Sequence, residues 1–207
     1  MDLFARIVSV LLHPLLMGTY LCGILMLTLP SGLDPVRPDN FTGFLMLIFL
    51  VTFMLPTINL FIFKIFGTIP SLAMPERRDR IVPFAFISLF YLTMTYLFYW
   101  KFGIDYQDNI FRFLLIMVFL VLGATLITLK YKISVHSLAI CGLLGILIPL
   151  NKASEDNRLL YATTICLVLA GVVMSSRLQL NAHTPREVLV GGLSGFSISF
   201  VSMLVMF

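Results

Sequence analysis

Apolar residues along the chain are gathered into long runs separated by short polar segments, at about 7–29, 43–66, 82–101, 110–131, 135–150, 158–176 and 187–207. Each run has the length of a helix that crosses about 30 Å of hydrocarbon. The breaks carry helix-stopping chemistry: Pro30-Ser31-Gly32, Gly67 to Pro70, Gly103 to Asn109, and Asn151 to Asn157. The pattern predicts an all-α fold, a polytopic membrane helix bundle of about six or seven transmembrane helices. No polar stretch is long enough for a separate soluble domain, so residues 1–207 read as one transmembrane domain.

Composition sharpens this reading. Of 207 residues, 59% are hydrophobic and only 12% charged, with a mean hydropathy of +1.02, a balance that excludes a soluble domain of this size. The first run, which begins after Arg6 and continues to Leu29, exceeds a signal-peptide core and lacks a small-residue cleavage site, so it reads as a retained anchor. Cys22, Cys141 and Cys166 all lie in apolar runs and form no C-x-x-C pair, which fits small packing residues rather than a disulfide framework or thiolate metal site.

The net charge of +4 does not imply nucleic acid, because the basic residues cluster at span ends, where headgroups and positive-inside bias account for them. An odd number of spans puts the N-terminus on one face with the ends of spans two, four and six. That face, called A here, carries Arg6, Lys64, Arg77, Arg78, Arg80, Lys130, Lys132, Arg177 and Arg186. Face B carries Arg37, Lys101, Arg112, Lys152 and Arg158 together with most of the acidic residues, including Glu155 and Asp156. A plain charge count therefore places face A in the cytoplasm.

Three polar segments on face A carry candidate chemistry. Between the last two spans stands Ser176-Arg177, then five residues, His183, three residues and Glu187. Ser134-Val135-His136-Ser137 opens the fifth span, and Glu76-Arg77-Arg78-Asp79-Arg80 precedes the third. This arrangement resembles the type 2 phosphatidic acid phosphatases, a superfamily that also includes soluble bacterial acid phosphatases and vanadium haloperoxidases. Its motifs are K-x6-R-P, P-S-G-H and S-R-x5-H-x3-D. The third motif matches at Ser176, Arg177 and His183, with Glu187 in place of Asp. The second matches at Ser134 and His136, with Ile133 and Val135 where Pro and Gly are usual. For the first, Arg77, Arg78 and Arg80 supply charge, but none has a Lys seven residues before it or a Pro directly after. The resemblance runs from about Glu76 to Gly192, and two hydrophobic runs separate Arg80 from Ser134, a wider spacing than the family commonly has.

The resemblance implies hydrolysis of a phosphate ester through a phosphohistidine, without a metal or other cofactor. His183 would be the nucleophile, Glu187 the acceptor that fixes its tautomer, and His136 the acid for the leaving oxygen. Arg177, with one or more of Arg77, Arg78 and Arg80, would grip the phosphoryl oxygens, and Ser134 with the start of span five would add donors. The expected partners are a lipid phosphate or diphosphate and the surrounding membrane lipids. Undecaprenyl diphosphate, phosphatidylglycerol phosphate and phosphatidic acid are all compatible, and a compact chain with short loops suits a bacterial inner membrane. The resemblance favours an active site facing away from the cytoplasm, opposite to the charge count.

Other readings of the same residues stand beside these. Thr184-Pro185-Arg186-Glu187 is a capping box for span seven, Ser134 an N-cap, and the arginines at 77–80 a headgroup-binding cluster. His13-Pro14 reads as a helix-start or kink pair, and the glycines at 142–145 and 191–195 as helix-packing strips. A catalytically lapsed relative that binds or transports lipid phosphate would fit the broken first motif. Axial haem ligation by His13, His136 and His183 fits poorly, because the three lack partners one or two turns deeper.

Overall fold

The computed structural model describes residues 2–154 and 157–207; Glu155 and Asp156, counted above among the face B charges, lie outside them. Seven helices among the described residues are long and apolar enough to cross a membrane: α1 (Asp2–Thr28), α2 (Pro38–Ile65), α3 (Arg78–Phe102), α4 (Asn109–Thr128), α5 (Val135–Ala153), α6 (Asn157–Gln179) and α7 (Pro185–Met206). They follow the seven apolar runs. The differences are at the ends, where α1 and α2 begin about a turn earlier than hydropathy alone suggests. Large apolar side chains such as Leu89, Leu126, Leu167 and Leu204 cover the outside. An exposed aromatic group of Tyr96, Tyr99, Trp100, Tyr106 and Tyr161 gathers towards face B, as at a membrane–water boundary.

Helix α5 is the most enclosed span, and its closest neighbour is α7, which runs parallel to it. Two glycine strips make that crossing possible. A Cβ at Gly191 would lie 2.5 Å from the Ser134 carbonyl oxygen, one at Gly195 2.0 Å from that of Leu138, and one at Gly145 2.6 Å from that of Phe196. The backbones therefore touch, as small residues allow in membrane helix pairs. The Ser134 N–H also donates to the Glu187 carbonyl at 3.1 Å, tying the start of α5 to the first turn of α7.

Two helices are broken at proline, and side chains answer the carbonyls this frees. In α1 the regular ladder stops after Leu11 and resumes at Met17. Pro14 has no N–H to donate, and the His13 ring accepts from the Leu15 N–H at 3.3 Å. The Tyr20 hydroxyl donates to the Leu11 carbonyl at 2.6 Å. In α2 a π-helical turn spans Leu50–Met54, and Pro56 cannot donate to the Thr52 carbonyl four residues before it. The Tyr91 hydroxyl of α3 does so instead, at 3.1 Å. Without water, each such carbonyl must find a protein donor. The helix-start or kink reading of His13-Pro14 agrees with this geometry.

Replacing Gly195 by Ala should force α5 and α7 apart and cost about 1–3 kcal/mol. Gly171, which has nothing within 4 Å of an added Cβ, should accept Ala without loss. Thermal unfolding midpoints of the two variants in detergent check this: a Gly195→Ala protein as stable as the parent would contradict the close crossing.

Candidate active site

The turn from α6 into α7 holds a buried histidine, His183. Just past the end of helix α6, Asn181 stands at φ 50°, the left-handed conformation that asparagine tolerates, while the Ala182 N–H returns to the Arg177 carbonyl at 3.2 Å. That reversal delivers His183 to the inside, where it is only 8% exposed. Thr184 then caps α7: its side chain accepts from the Glu187 N–H, and the Glu187 carboxylate accepts from the Thr184 N–H at 3.3 Å. The same carboxylate oxygen, Oε2, lies 2.7 Å from His183 Nδ1. Glu187 thus caps the helix and holds the histidine with one oxygen. Since a carboxylate only accepts, Nδ1 carries the hydrogen, and Nε2 keeps its lone pair while the ring is neutral.

His136, in the first turn of α5, is fixed from another direction. Its Nε2 lies 3.0 Å from the Ser9 carbonyl oxygen of α1; a carbonyl only accepts, so Nε2 carries hydrogen and Nδ1 is the nitrogen left for other partners. Its ring stands edge-on to that of His13, with centroids 5.6 Å apart. His13, Arg80, His136, Arg177 and His183 all line one cavity of about 360 Å³. Most of the remaining lining is apolar, with Leu60, Phe84, Ile87, Met117, Leu120 and Leu138 among others. The same cavity therefore combines positive charge and imidazole nitrogens with apolar walls that suit hydrocarbon.

The two arginines of the cavity are held differently. Arg80, 7% exposed, donates from Nε to the Met74 carbonyl at 2.8 Å and from Nη1 to the Ile133 carbonyl at 3.0 Å. Arg177 donates from Nη1 to the Ser9 hydroxyl at 3.2 Å, and its Nε is buried with no partner. A buried guanidinium with an unused donor is unfavourable unless a further acceptor, such as an anion, completes it.

Of the residues singled out in the sequence, the fold brings His183, Glu187, His136, Arg177 and Arg80 together. Arg77, Arg78 and Ser134 fall outside the cavity lining. Arg77 donates to the Thr128 and Leu129 carbonyls at the end of α4, and Arg78 is exposed. The Ser134 hydroxyl is consumed as the N-cap of α5, accepting from the Ser137 N–H at 3.4 Å and the Ser137 hydroxyl at 2.9 Å. Three arginines so close in sequence point in different directions because α3 begins among them. Ser9 and His13 enter the cavity without having been singled out for it. The His13-Pro14 pair signals a break in an apolar run, but nothing in the sequence sets that break against His136.

Burial lowers the pKa of His183 from 6.5 to about 4, and the Arg80 and Arg177 charges add to this; the hydrogen bond and charge of Glu187 oppose it without prevailing. The ring is therefore neutral near pH 7. Because the unfolded chain binds that proton first, folded-state stability falls as pH drops from 6.5 towards 4. In a histidine NMR titration in detergent micelles, assigned by comparison with His183→Ala, the His183 midpoint should lie near 4 and lower still in Glu187→Gln. A midpoint at 6.5 would contradict the burial.

Comparison with known proteins locates a family in this half of the site. No curated protein and no solved structure matches the chain. The family model described as PAP2 superfamily matches residues 129–207, which begin at the end of α4 and hold the His183–Glu187 pair, His136 and Arg177, though not Arg80 or Ser9. Through that stretch the chain is similar to the PAP2 superfamily.

Proposed function

We propose that the protein is an integral membrane phosphatase that hydrolyses a lipid phosphate or diphosphate through a phosphohistidine. The observation that carries this reading is the His183–Glu187 pair at 2.7 Å, with His183 lining a cavity that also holds Arg80, Arg177 and His136 and whose other walls are mostly apolar. A lipid phosphate has a matching combination, an anionic head on a hydrocarbon tail.

In the first step His183 Nε2 attacks phosphorus. An N–P bond forms, the bond from phosphorus to the lipid oxygen breaks, and His136 gives a proton to that oxygen. With Nε2–H committed to the Ser9 carbonyl, the proton leaves from Nδ1 of the imidazolium. In the second step water attacks the phosphohistidine and returns a proton to His136; the N–P bond breaks, releasing inorganic phosphate. Glu187 holds the His183 ring in the reactive tautomer and stabilises the charge it gains on attack. Arg80 and Arg177 neutralise the phosphoryl oxygens, for which their planar, fixed donors are suited. The scheme draws its positive charge from arginine and calls on no metal.

Inorganic phosphate release from a panel of lipid phosphates, measured on detergent-purified protein with EDTA present, tests the reading. Turnover should survive chelation and fall at least about a thousandfold in His183→Ala, which lacks the nucleophile. Turnover unchanged by His183→Ala would remove the assignment, and binding without turnover in the parent protein would favour a lapsed relative.

The arginines should separate in the same assay. Arg80→Ala should lose about a hundredfold in kcat/KM, roughly the weight of one charge-assisted phosphate contact. Arg78→Ala should stay within about twofold, as expected of an exposed side chain outside the cavity.

A further inference from the structure

The first span lies outside the matched residues 129–207, yet it touches both a histidine and an arginine of the site. Ser9 is 8% exposed and lines the cavity. Its hydroxyl accepts from Arg177 Nη1 at 3.2 Å, and its carbonyl lies 3.0 Å from His136 Nε2. The carbonyl is free for this because the α1 ladder runs out: the last bond of its first segment joins the Leu12 N–H to the Val8 carbonyl. In an unbroken helix the His13 N–H would claim the Ser9 carbonyl, but Pro14 and the His13 cap turn the chain there into a 3-10 turn.

We propose that Ser9 is a positioning residue of the active site, with two separate duties: its hydroxyl orients Arg177 towards the phosphoryl group, and its carbonyl, freed by the His13-Pro14 break, holds His136 with Nδ1 turned to the leaving oxygen. The proposal rests on the phosphatase reading for its catalytic meaning. The hydroxyl duty concerns anion affinity, so it can be measured without turnover. Ser9→Ala removes the hydroxyl and leaves the carbonyl; Ser9→Thr keeps both. Pro14→Ala restores an N–H and lets the helix close across the break, so that the His13 N–H competes for the Ser9 carbonyl.

The experiment measures inorganic phosphate and orthovanadate affinity by calorimetry, together with kcat and KM for a hydrolysed lipid phosphate, on the parent protein and these three variants. Ser9→Ala should weaken anion binding and raise KM by about tenfold, the scale of one hydrogen bond to a charged group, with kcat little changed and Ser9→Thr close to the parent. Pro14→Ala should lower kcat by about tenfold or more through misplacement of His136, with anion affinity retained. A merely structural Ser9 would lower the unfolding midpoint without this split between KM and kcat. Parental affinity and KM in Ser9→Ala would overturn the hydroxyl duty, and parental kcat in Pro14→Ala the carbonyl duty, each leaving the phosphatase reading intact. Anion binding weakened by Ser9→Ala in a parent protein that hydrolyses nothing would uphold the orientation of Arg177 and sink the phosphatase reading instead.

Discussion

Contact between the backbones of α5 and α7 is the constraint on which the site depends. A Cβ at Gly191 or Gly195 would stand 2.5 or 2.0 Å from a carbonyl oxygen of α5, so no other residue permits the crossing without movement. Because the two helices run parallel and their first turns are joined by the Ser134 N–H to the Glu187 carbonyl, the register of one fixes the register of the other. His136 follows directly after that bond on α5, and His183 precedes it on α7. Their common address on face A comes from helix packing rather than from any direct bond between them.

Around this pair the bundle is assembled from interrupted helices. Each interruption leaves a carbonyl without its usual donor, and in hydrocarbon that carbonyl must be satisfied by protein. Tyr20 serves Leu11, Tyr91 serves Thr52, and His136 serves Ser9. The first two bonds hold the scaffold, whereas the third orients a candidate proton donor. One physical need, pairing a stranded carbonyl, therefore yields a structural bond in two places and a site contact in the third.

At the cavity one buried arginine donor is likewise left without a partner. Arg80 is anchored by two backbone carbonyls, which fix its direction but bring no negative charge. Glu187 is committed to His183 and to capping α7. Arg177 retains a buried, unpaired Nε. A phosphoryl group would supply the missing acceptors, and its hydrocarbon tail could extend along Leu60, Phe84 and Met117. Charge and apolar walls in one cavity are the features on which the proposal of a lipid rather than a soluble phosphate ester rests.

The sequence by itself determined the membrane-spanning helical class, the seven apolar runs, the helix stops and the spacing of the Ser176–Glu187 segment. These are local properties: hydropathy over a helix length, Pro and Gly at breaks, and residues whose spacing along one turn puts His183 within reach of Glu187. It also marked the glycine strips on α5 and α7 as packing surfaces, because small residues in apolar runs have few other uses. Only the tertiary structure decided which arginine enters the cavity, since Arg77, Arg78 and Arg80 share composition and neighbourhood and differ only in the side of the chain they occupy as α3 begins. It likewise decided that Ser134 spends its hydroxyl on a cap, and that Ser9 and His13 meet His136. A contact across 127 residues of chain leaves no spacing to read, because it exists only once the helices have packed.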